Sequence, residues 1–330
     1  MLADKPHAFW APVLAFIFSA SCLAALQIVD PMSQPMLLAE RFFPGAGWVE
    51  LGLLAAWAAW LCQRMLEPKR QAFWRLLAWS LFALVFFAQL ALGLAGCEAC
   101  LMTGDLHLPV PAVIAAGPVY RGAGWFMPAL FLISALIVGP AWCSHLCYLG
   151  AADMHLSRLR KNPLPLPSWM RRARWAMLPL VLAVAAGLRL CGIGGWTAAI
   201  VGLSFGGLGL LVMGMVSRKM GVMVHCTLWC PMGLLATLLG KISVFRLRIE
   251  DGCTHCGACT PSCRYDALNE KDWLRGQAGQ SCSLCGDCLS KCPHDQLSLG
   301  FFWGRSKLAR PIFLALISAM SAIFLGLARI

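Results

Sequence analysis

Charge is what this 330-residue chain has least of: Asp, Glu, Lys and Arg together make up 13% of it, and tyrosine occurs three times. So little charge, with 59% hydrophobic residues and a mean hydropathy of +0.71, excludes an ordinary soluble domain. Acidic residues are the scarcer sign, 15 against 27 basic, which leaves a net charge of +12. The basic residues are spread over separate loops, so the excess reads as a topology and anionic-lipid signal and gives no ground for a nucleic-acid partner. A phosphate loop, a dinucleotide fingerprint and a hydrolytic triad are all missing, so nothing points to direct use of ATP or NAD.

What is abundant is apolar sequence in runs of spanning length, roughly 20 residues of helix. Residues 8–29 and 76–97 carry no charge, and 122–142 and 190–217 are two further clear runs. Two weaker ones are 45–63, which includes Glu50, and 175–190, which ends at Arg189. A last run, 311–328, lies between Arg310 and Arg329. The expected fold is therefore a polytopic α-helical membrane protein of about six spans plus a C-terminal span. The first run has a weak basic flank and no clear small-residue cleavage site, so it is read as a span and not as a cleaved signal peptide.

Basic residues accumulate on the cytoplasmic side of a membrane. Arg64, Lys69, Arg70 and Arg75 fall in one loop, Arg158, Arg160, Lys161, Arg171, Arg172 and Arg174 in a second, and Arg218, Lys219, Lys241, Arg246 and Arg248 in a third. If the spans alternate, all three loops share a side, and Asp30, Glu40, Glu98 and Asp105 lie on the other. The expectation is a multi-pass protein of the cell inner membrane with its N-terminus and its cysteine-rich segment cytoplasmic.

That segment carries the strongest chemical signal. Cys253, Cys256, Cys259 and Cys263 are spaced C-x2-C-x2-C-x3-C, and Cys282, Cys285, Cys288 and Cys292 repeat the spacing, with Pro293 next. This is the ligand pattern of an α+β bacterial-type ferredoxin with two [4Fe-4S] clusters. Three thiolates at two-residue intervals hold three corners of one cube, and the fourth cysteine of each run ligates the other cluster. Cluster one is thus assigned to Cys253, Cys256, Cys259 and Cys292, and cluster two to Cys282, Cys285, Cys288 and Cys263. Arg264 stands after Cys263 where the second run has proline, and Gly257 and Gly286 sit where a loop must approach a cluster. Paired zinc sites fit less well, since structural zinc usually joins C-x2-C to a distant second pair, and disulfides fit poorly on a cytoplasmic side. The chain divides accordingly into a transmembrane domain (1–244), a ferredoxin domain inserted at 245–300, and a C-terminal segment (301–330).

Four more cysteines form two C-x3-C pairs, Cys143/Cys147 in AWCSHLCYLG and Cys226/Cys230 in VHCTLWCPMG. Each pair follows an apolar run and precedes a glycine, Gly150 or Gly233, which suggests two related halves. On a helix, residues four apart share a face. The four thiolates have three readings: a third metal centre, either an iron–sulfur cluster or a copper ion; redox-active dithiols; or plain buried cysteine.

The combination of several spans, two C-x3-C(-P) motifs and a two-cluster ferredoxin run resembles the NapH/NosR-type membrane ferredoxins, over roughly residues 70–300. The resemblance implies quinol oxidation, as a quinol dehydrogenase-type component, or electron supply to periplasmic reductases and their maturation. The partners implied are the bilayer, a quinone or quinol, and other redox proteins. A copper-reducing branch with similar cysteines implies the alternative of a metal-handling factor. Tyr148 in place of the proline at Pro231, and the extra C-terminal span, depart from the pattern.

Among other residues, Glu50, His145 and His225 are candidates for proton handling beside a quinol site. Asp105 and His107 form a second such pair. Cys97 and Cys100 lack the following histidine of a haem site and read as a disulfide or a plain thiol pair. Cys22, Cys62 and Cys191 read as packing residues.

Overall fold

The computed structural model describes residues 9–29, 35–101 and 108–327. In chain order the helices are α1 (Trp10–Val29), α2 (Leu38–Phe42), α3 (Ala46–Met65), α4 (Pro68–Leu94), α5 (Ala112–Arg121), α6 (Phe126–Val138) and α7 (Trp142–His145). They continue as α8 (Tyr148–Arg158), α9 (Ser168–Leu190), α10 (Gly195–Leu211), α11 (Arg218–Met220) and α12 (Pro231–Gly240). Strands β1 (Phe245–Ile249) and β2 (Leu297–Phe301) enclose α13 (Glu270–Leu274), and α14 (Ala309–Leu327) follows.

Six helical segments among the described residues are long and apolar enough to cross a bilayer: Trp10–Val29, Pro68–Leu94, Phe126–His145, Ser168–Leu190, Gly195–Met220 and Ala309–Leu327. The chain is a polytopic helical membrane protein with a ferredoxin domain. Two spans start earlier than hydropathy alone places them, because Pro68 sits in the first turn of α4 and Ser168 opens α9 ahead of its apolar stretch. The expected 175–190 and 190–217 runs are parted at Gly192, whose φ of +63° favours glycine. The expected 45–63 span is the 20-residue helix α3, but Glu50, Gln63, Arg64 and three tryptophans keep it below the apolarity of the other six.

The chain folds as two compact units. The first comprises residues 1–107, 145–148 and 303–330. Within it, α3 packs on α1 and α14, and α14 is lined by buried residues along most of its length, including Phe313, Leu314, Ile317 and Ile323. The C-terminal span, which reads in the sequence as a short appendix, is the core helix of this unit. Gly326 lets it come close: a Cβ there would lie 2.8 Å from the Leu54 side chain. The outer surfaces of α1, α3 and α4 expose Phe16, Ile17, Leu53, Phe73 and Leu84, as lipid-facing helices do.

The second unit comprises residues 108–144 and 149–302. Helix α9 packs on α5 and α12, and α10 runs through a π turn (Val212–Ser217) into α11. The cysteine-rich segment belongs to this unit. Its frame is the antiparallel β1–β2 pair, with Phe245 opposite Phe301 and Ile249 opposite Leu297. Arg264 fixes it to the helical part. Its guanidinium donates to the carbonyls of Ser157 (3.3 Å), Arg160 (2.8 Å), Gly221 (2.9 Å) and Lys161 (3.1 Å), while its own carbonyl accepts Met223 N–H at 2.8 Å. Ion pairs Arg158–Asp287 (3.1 Å) and Arg171–Asp266 (3.0 Å) add to the joint. The arginine that stands where the second run has proline is therefore the clamp.

Candidate functional site

The two cysteine runs fold as one repeated loop. Cys253, Cys256, Cys259 and Cys263 lie a constant 29 residues before Cys282, Cys285, Cys288 and Cys292. His255 and Leu284 both take left-handed backbone, with φ of 53° and 54°, and Gly257 and Gly286 follow at 72° and 77°. For the two non-glycine residues this costs about 1–3 kcal/mol each, so the surrounding fold over-determines it. The left-handed steps turn the chain so that successive cysteines face one centre.

Cys253, Cys256, Cys259 and Cys292 line one pocket, together with Trp273, Ile249, Leu297 and Pro293. Cys263 lies instead within electrostatic range of Cys282 and Cys285, and Cys288 senses all three. Cys292 thus lies with the first three cysteines of the first run, and Cys263 with those of the second. Each fourth sulfur accepts a backbone N–H, Ala267 to Cys263 at 3.3 Å and Gln296 to Cys292 at 3.2 Å. Hydrogen bonds of this kind stabilise sulfur in its thiolate form and tune a cluster's potential.

Burial pushes the Cys282 thiol up to about 12, and the Cys263 and Cys288 thiols are raised by burial and then by the neighbouring Cys285 and Cys282. Without a cation these sulfurs hold their protons at neutral pH; bound iron offsets that, since metal ligation requires the deprotonated form. Four soft donors around a cavity, with inward N–H···S bonds, fit an iron–sulfur cube. No group of three or more His, Cys, Asp or Glu converges tightly enough, among the described residues, to hold a single metal ion.

The C-x3-C pairs depart from the helical-face expectation. Cys143 lies in the one-turn α7 and Cys147 in the break before α8, while Cys226 lies in a π turn (His225–Trp229) and Cys230 is extended just before α12. Both pairs therefore share a plan: an apolar span, a first cysteine in a tight turn, a second in a helix break. The reason is local, since Pro231 cannot continue a helix and the π turn closes with Cys230 N–H on His225 O at 2.8 Å. Gly233 is indispensable here, for a Cβ would sit 2.1 Å from the Cys226 carbonyl oxygen.

Cys143 and Cys226 line one pocket in the second unit, with Arg174, Tyr265, Ser281 and Ser283. Ser281 and Ser283 flank Cys282, and Tyr265 lies two residues beyond Cys263. Ser144 Oγ donates to Ser283 O at 2.9 Å, which ties the first motif to the same loop. The Cys230 sulfur accepts N–H groups of Gly233 and Met232 at the start of α12. Cys147 belongs to the first unit, where its carbonyl accepts Trp79 Nε1–H at 2.7 Å. Tyr148 stacks on Phe86 with ring centroids 3.7 Å apart, which accounts for an aromatic residue where the second motif has proline.

Of the proton-handling candidates, Glu50 binds Ala39 N–H at 2.7 Å and so holds the start of α2. His145 packs edge-on to Phe313. His225 is pressed against Gly209, and burial holds it down to about 4, hence neutral at pH 7. Asp105 and His107 lie outside the described residues. Cys97 and Cys100 are joined as a disulfide.

Sequence reading missed Asp153. Its carboxylate is wholly buried, accepts Cys226 N–H at 3.1 Å and bonds the Ser217 hydroxyl presented by the π turn. Burial pushes it up to about 6 against those hydrogen bonds. One signal was available: Asp153 is the only acidic residue between Asp105 and Glu250. Arg174 was counted only as a topology marker, although it is nine-tenths buried on the thiol cavity.

Comparison with known proteins bears on both parts. The family described as a 4Fe-4S binding domain matches residues 121–167, a stretch that holds Cys143 and Cys147 and none of the eight cysteines of the two runs. The chain is similar to the methylamine utilization ferredoxin-type protein MauN of Paracoccus denitrificans (strain Pd 1222), at 30% identity over 185 residues. That alignment covers 49% of this chain and 63% of the relative, so the chain spans under two thirds of the relative's length. No solved structure matches the chain significantly.

Proposed function

We propose that this NapH-like ferredoxin is a membrane-bound relay, passing single electrons between a membrane donor of the quinol class and another redox protein. The observation that carries the reading is the cavity shared by Cys143 and Cys226, whose far wall is built from residues beside the cluster-two cysteines Cys263 and Cys282. Clusters of the [4Fe-4S] type, when bound, supply one-electron steps at potentials from about −700 to +450 mV. The chain's own part is to hold two such centres in sequence, cluster one by Cys253, Cys256, Cys259 and Cys292 and cluster two by Cys263, Cys282, Cys285 and Cys288. The Arg264 clamp would hold the loop of the cluster-two cysteines against the helices, and Trp273 lines the pocket that would take cluster one. Cys256 is exposed, where a redox partner would approach the first donor set, while Cys288 is buried.

The location that goes with this reading is the cell inner membrane, with the ferredoxin segment cytoplasmic. The arginines and lysines of 158–174 and 218–248 support it, as does the Cys97–Cys100 disulfide in a loop assigned to the opposite, oxidising side. In this reading α3 crosses as well, which puts the N-terminus on the cytoplasmic side too.

The test is to add a quinol analogue to purified, oxidised protein, alone and with its membrane partners, and to follow the clusters by EPR. Reduction in either case supports the relay; failure in both sinks it. A second reading, copper handling, draws on the soft sulfurs at one cavity. Stoichiometric copper binding that vanishes in Cys226→Ser/Cys230→Ser protein would favour it over the relay.

A further inference from the structure

We propose that Trp273 sets the potential of cluster one by donating its indole N–H to a sulfur of that cluster. The inference rests on the assignment of cluster one to Cys253, Cys256, Cys259 and Cys292, and not on the class of the electron donor. Trp273 stands on the wall of the pocket those four cysteines line, with Ile249, Leu297 and Pro293. Its ring lies against the ligand loop. A Cβ on Gly257, between Cys256 and Cys259, would be 3.1 Å from Trp273 Cη2 and 3.7 Å from Cζ2. That edge of the ring adjoins the N–H.

The indole N–H is shielded from solvent and has no hydrogen-bond partner. A buried donor without an acceptor is costly to keep, and its presence beside a cluster pocket calls for an acceptor there. Sulfur of the cluster supplies one. The backbone holds the ring in place. Asn269 and Asp272 cap α13 reciprocally, Gly276 N–H donates to the Trp273 carbonyl at 3.0 Å, and Ile249 N–H donates to Gly276 O at 3.2 Å, which ties α13 to β1. The repeat offers cluster two no equivalent: 29 residues beyond Trp273 stands Phe302, whose side chain carries no donor.

Reduction by one electron adds one negative charge and makes or breaks no covalent bond. An N–H directed at sulfur stabilises the more negative form, and does so more strongly in a pocket of low polarity. The donor therefore raises the potential of cluster one. The ring itself excludes water, an effect that phenylalanine would preserve. Within the relay, the N–H draws the electron toward the donor set whose Cys256 is exposed, where a partner would take it.

The experiment is a reductive titration of the full chain, purified anaerobically in detergent with its clusters and followed by EPR. The cluster-one signal is the one that Cys292→Ser alters. Trp273→Phe keeps an aromatic ring and removes the N–H. Its cluster-one midpoint should fall by about 59 mV, tenfold in the one-electron equilibrium, which is the scale of one hydrogen bond to a charged group. Cluster two should not move, and iron content should match wild type. Wild-type protein carrying tryptophan labelled with heavy nitrogen gives a reading that needs no variant: the reduced cluster-one signal should show the labelled nitrogen's coupling in pulsed EPR. An unmoved cluster-one midpoint in loaded Trp273→Phe protein, an equal fall in both midpoints, or no such coupling would overturn the proposal. Clusters that show this dependence on Trp273 but take no electrons from a quinol analogue would refute the relay and leave the Trp273 assignment standing.

Discussion

Removing the Arg264 side chain should undock the ferredoxin segment without touching a single cysteine. Its guanidinium satisfies four backbone carbonyls, and the bonds to Ser157 and Gly221 are fully buried. A hydrogen bond to a charged group is worth about 1.5–3 kcal/mol, and the orphaned carbonyls pay their desolvation in full. The bonds to Arg160 and Lys161 are only part-buried, so water replaces them at less cost. Arg264→Ala should therefore cost about 3–5 kcal/mol, mostly from the two buried carbonyls. At about 1.4 kcal/mol per decade, local opening becomes two to three and a half orders of magnitude more frequent. The assay is amide hydrogen exchange. Met223 N–H, bonded to the Arg264 carbonyl, and residues 157–161 and 221–224 report the joint. Arg264→Lys should recover little, because one ammonium cannot span four acceptors as the planar fork does. Unchanged exchange in both variants would refute the clamp.

Three further outcomes are expected. Gly233→Ala places a Cβ 2.1 Å from the Cys226 carbonyl and must shift the π turn; it should cost about 1–3 kcal/mol and speed alkylation of Cys226, and an unchanged alkylation rate would count against that packing. Cys263→Ser and Cys292→Ser should each alter a different one of the two EPR signals, with wild-type iron near eight per chain at about four per cluster; the same signal altered by both would break the crossed assignment. Glu40 accepts N–H from Gly45 at 2.8 Å and Gly47 at 2.9 Å, which holds its carboxyl below the usual range. Such a group stabilises above its unfolded pKa and loses that contribution as pH falls through the folded value. The 40–47 turn should loosen at pH below about 4.5, and Glu40→Gln should remove the acid step in the exchange of Gly45 and Gly47.

The parts legible in the chain are those written at short range. The two cysteine runs announce their chemistry because three cysteines recur every third residue in each, and the fold sets Cys263 beside Cys282, Cys285 and Cys288 across the repeat. The spans are legible because a bilayer demands about 20 apolar residues in a row, although α3 shows the limit: its length is right and its Glu50 and Arg64 blur the count. The C-x3-C geometry was misjudged by applying α-helical spacing to segments that form a π turn and helix breaks. Arg264 and Arg174 were hidden among many loop arginines, since a basic residue reads alike whether it faces lipid headgroups or fills a carbonyl cage.

By itself, then, the sequence determined the class of molecule, a polytopic membrane protein with a two-run ferredoxin segment, because hydropathy and ligand spacing are properties of neighbours along the chain. Only the tertiary structure decided which distant residues share a pocket. Cys143 and Cys226 are more than eighty residues apart and come to one cavity because α9, α12 and the loop around Cys282 are packed together in a single unit. Asp153 acts on Cys226 for the same reason, reaching it across the fold from α8. Contacts of that range are set by packing, and no local spacing encodes them.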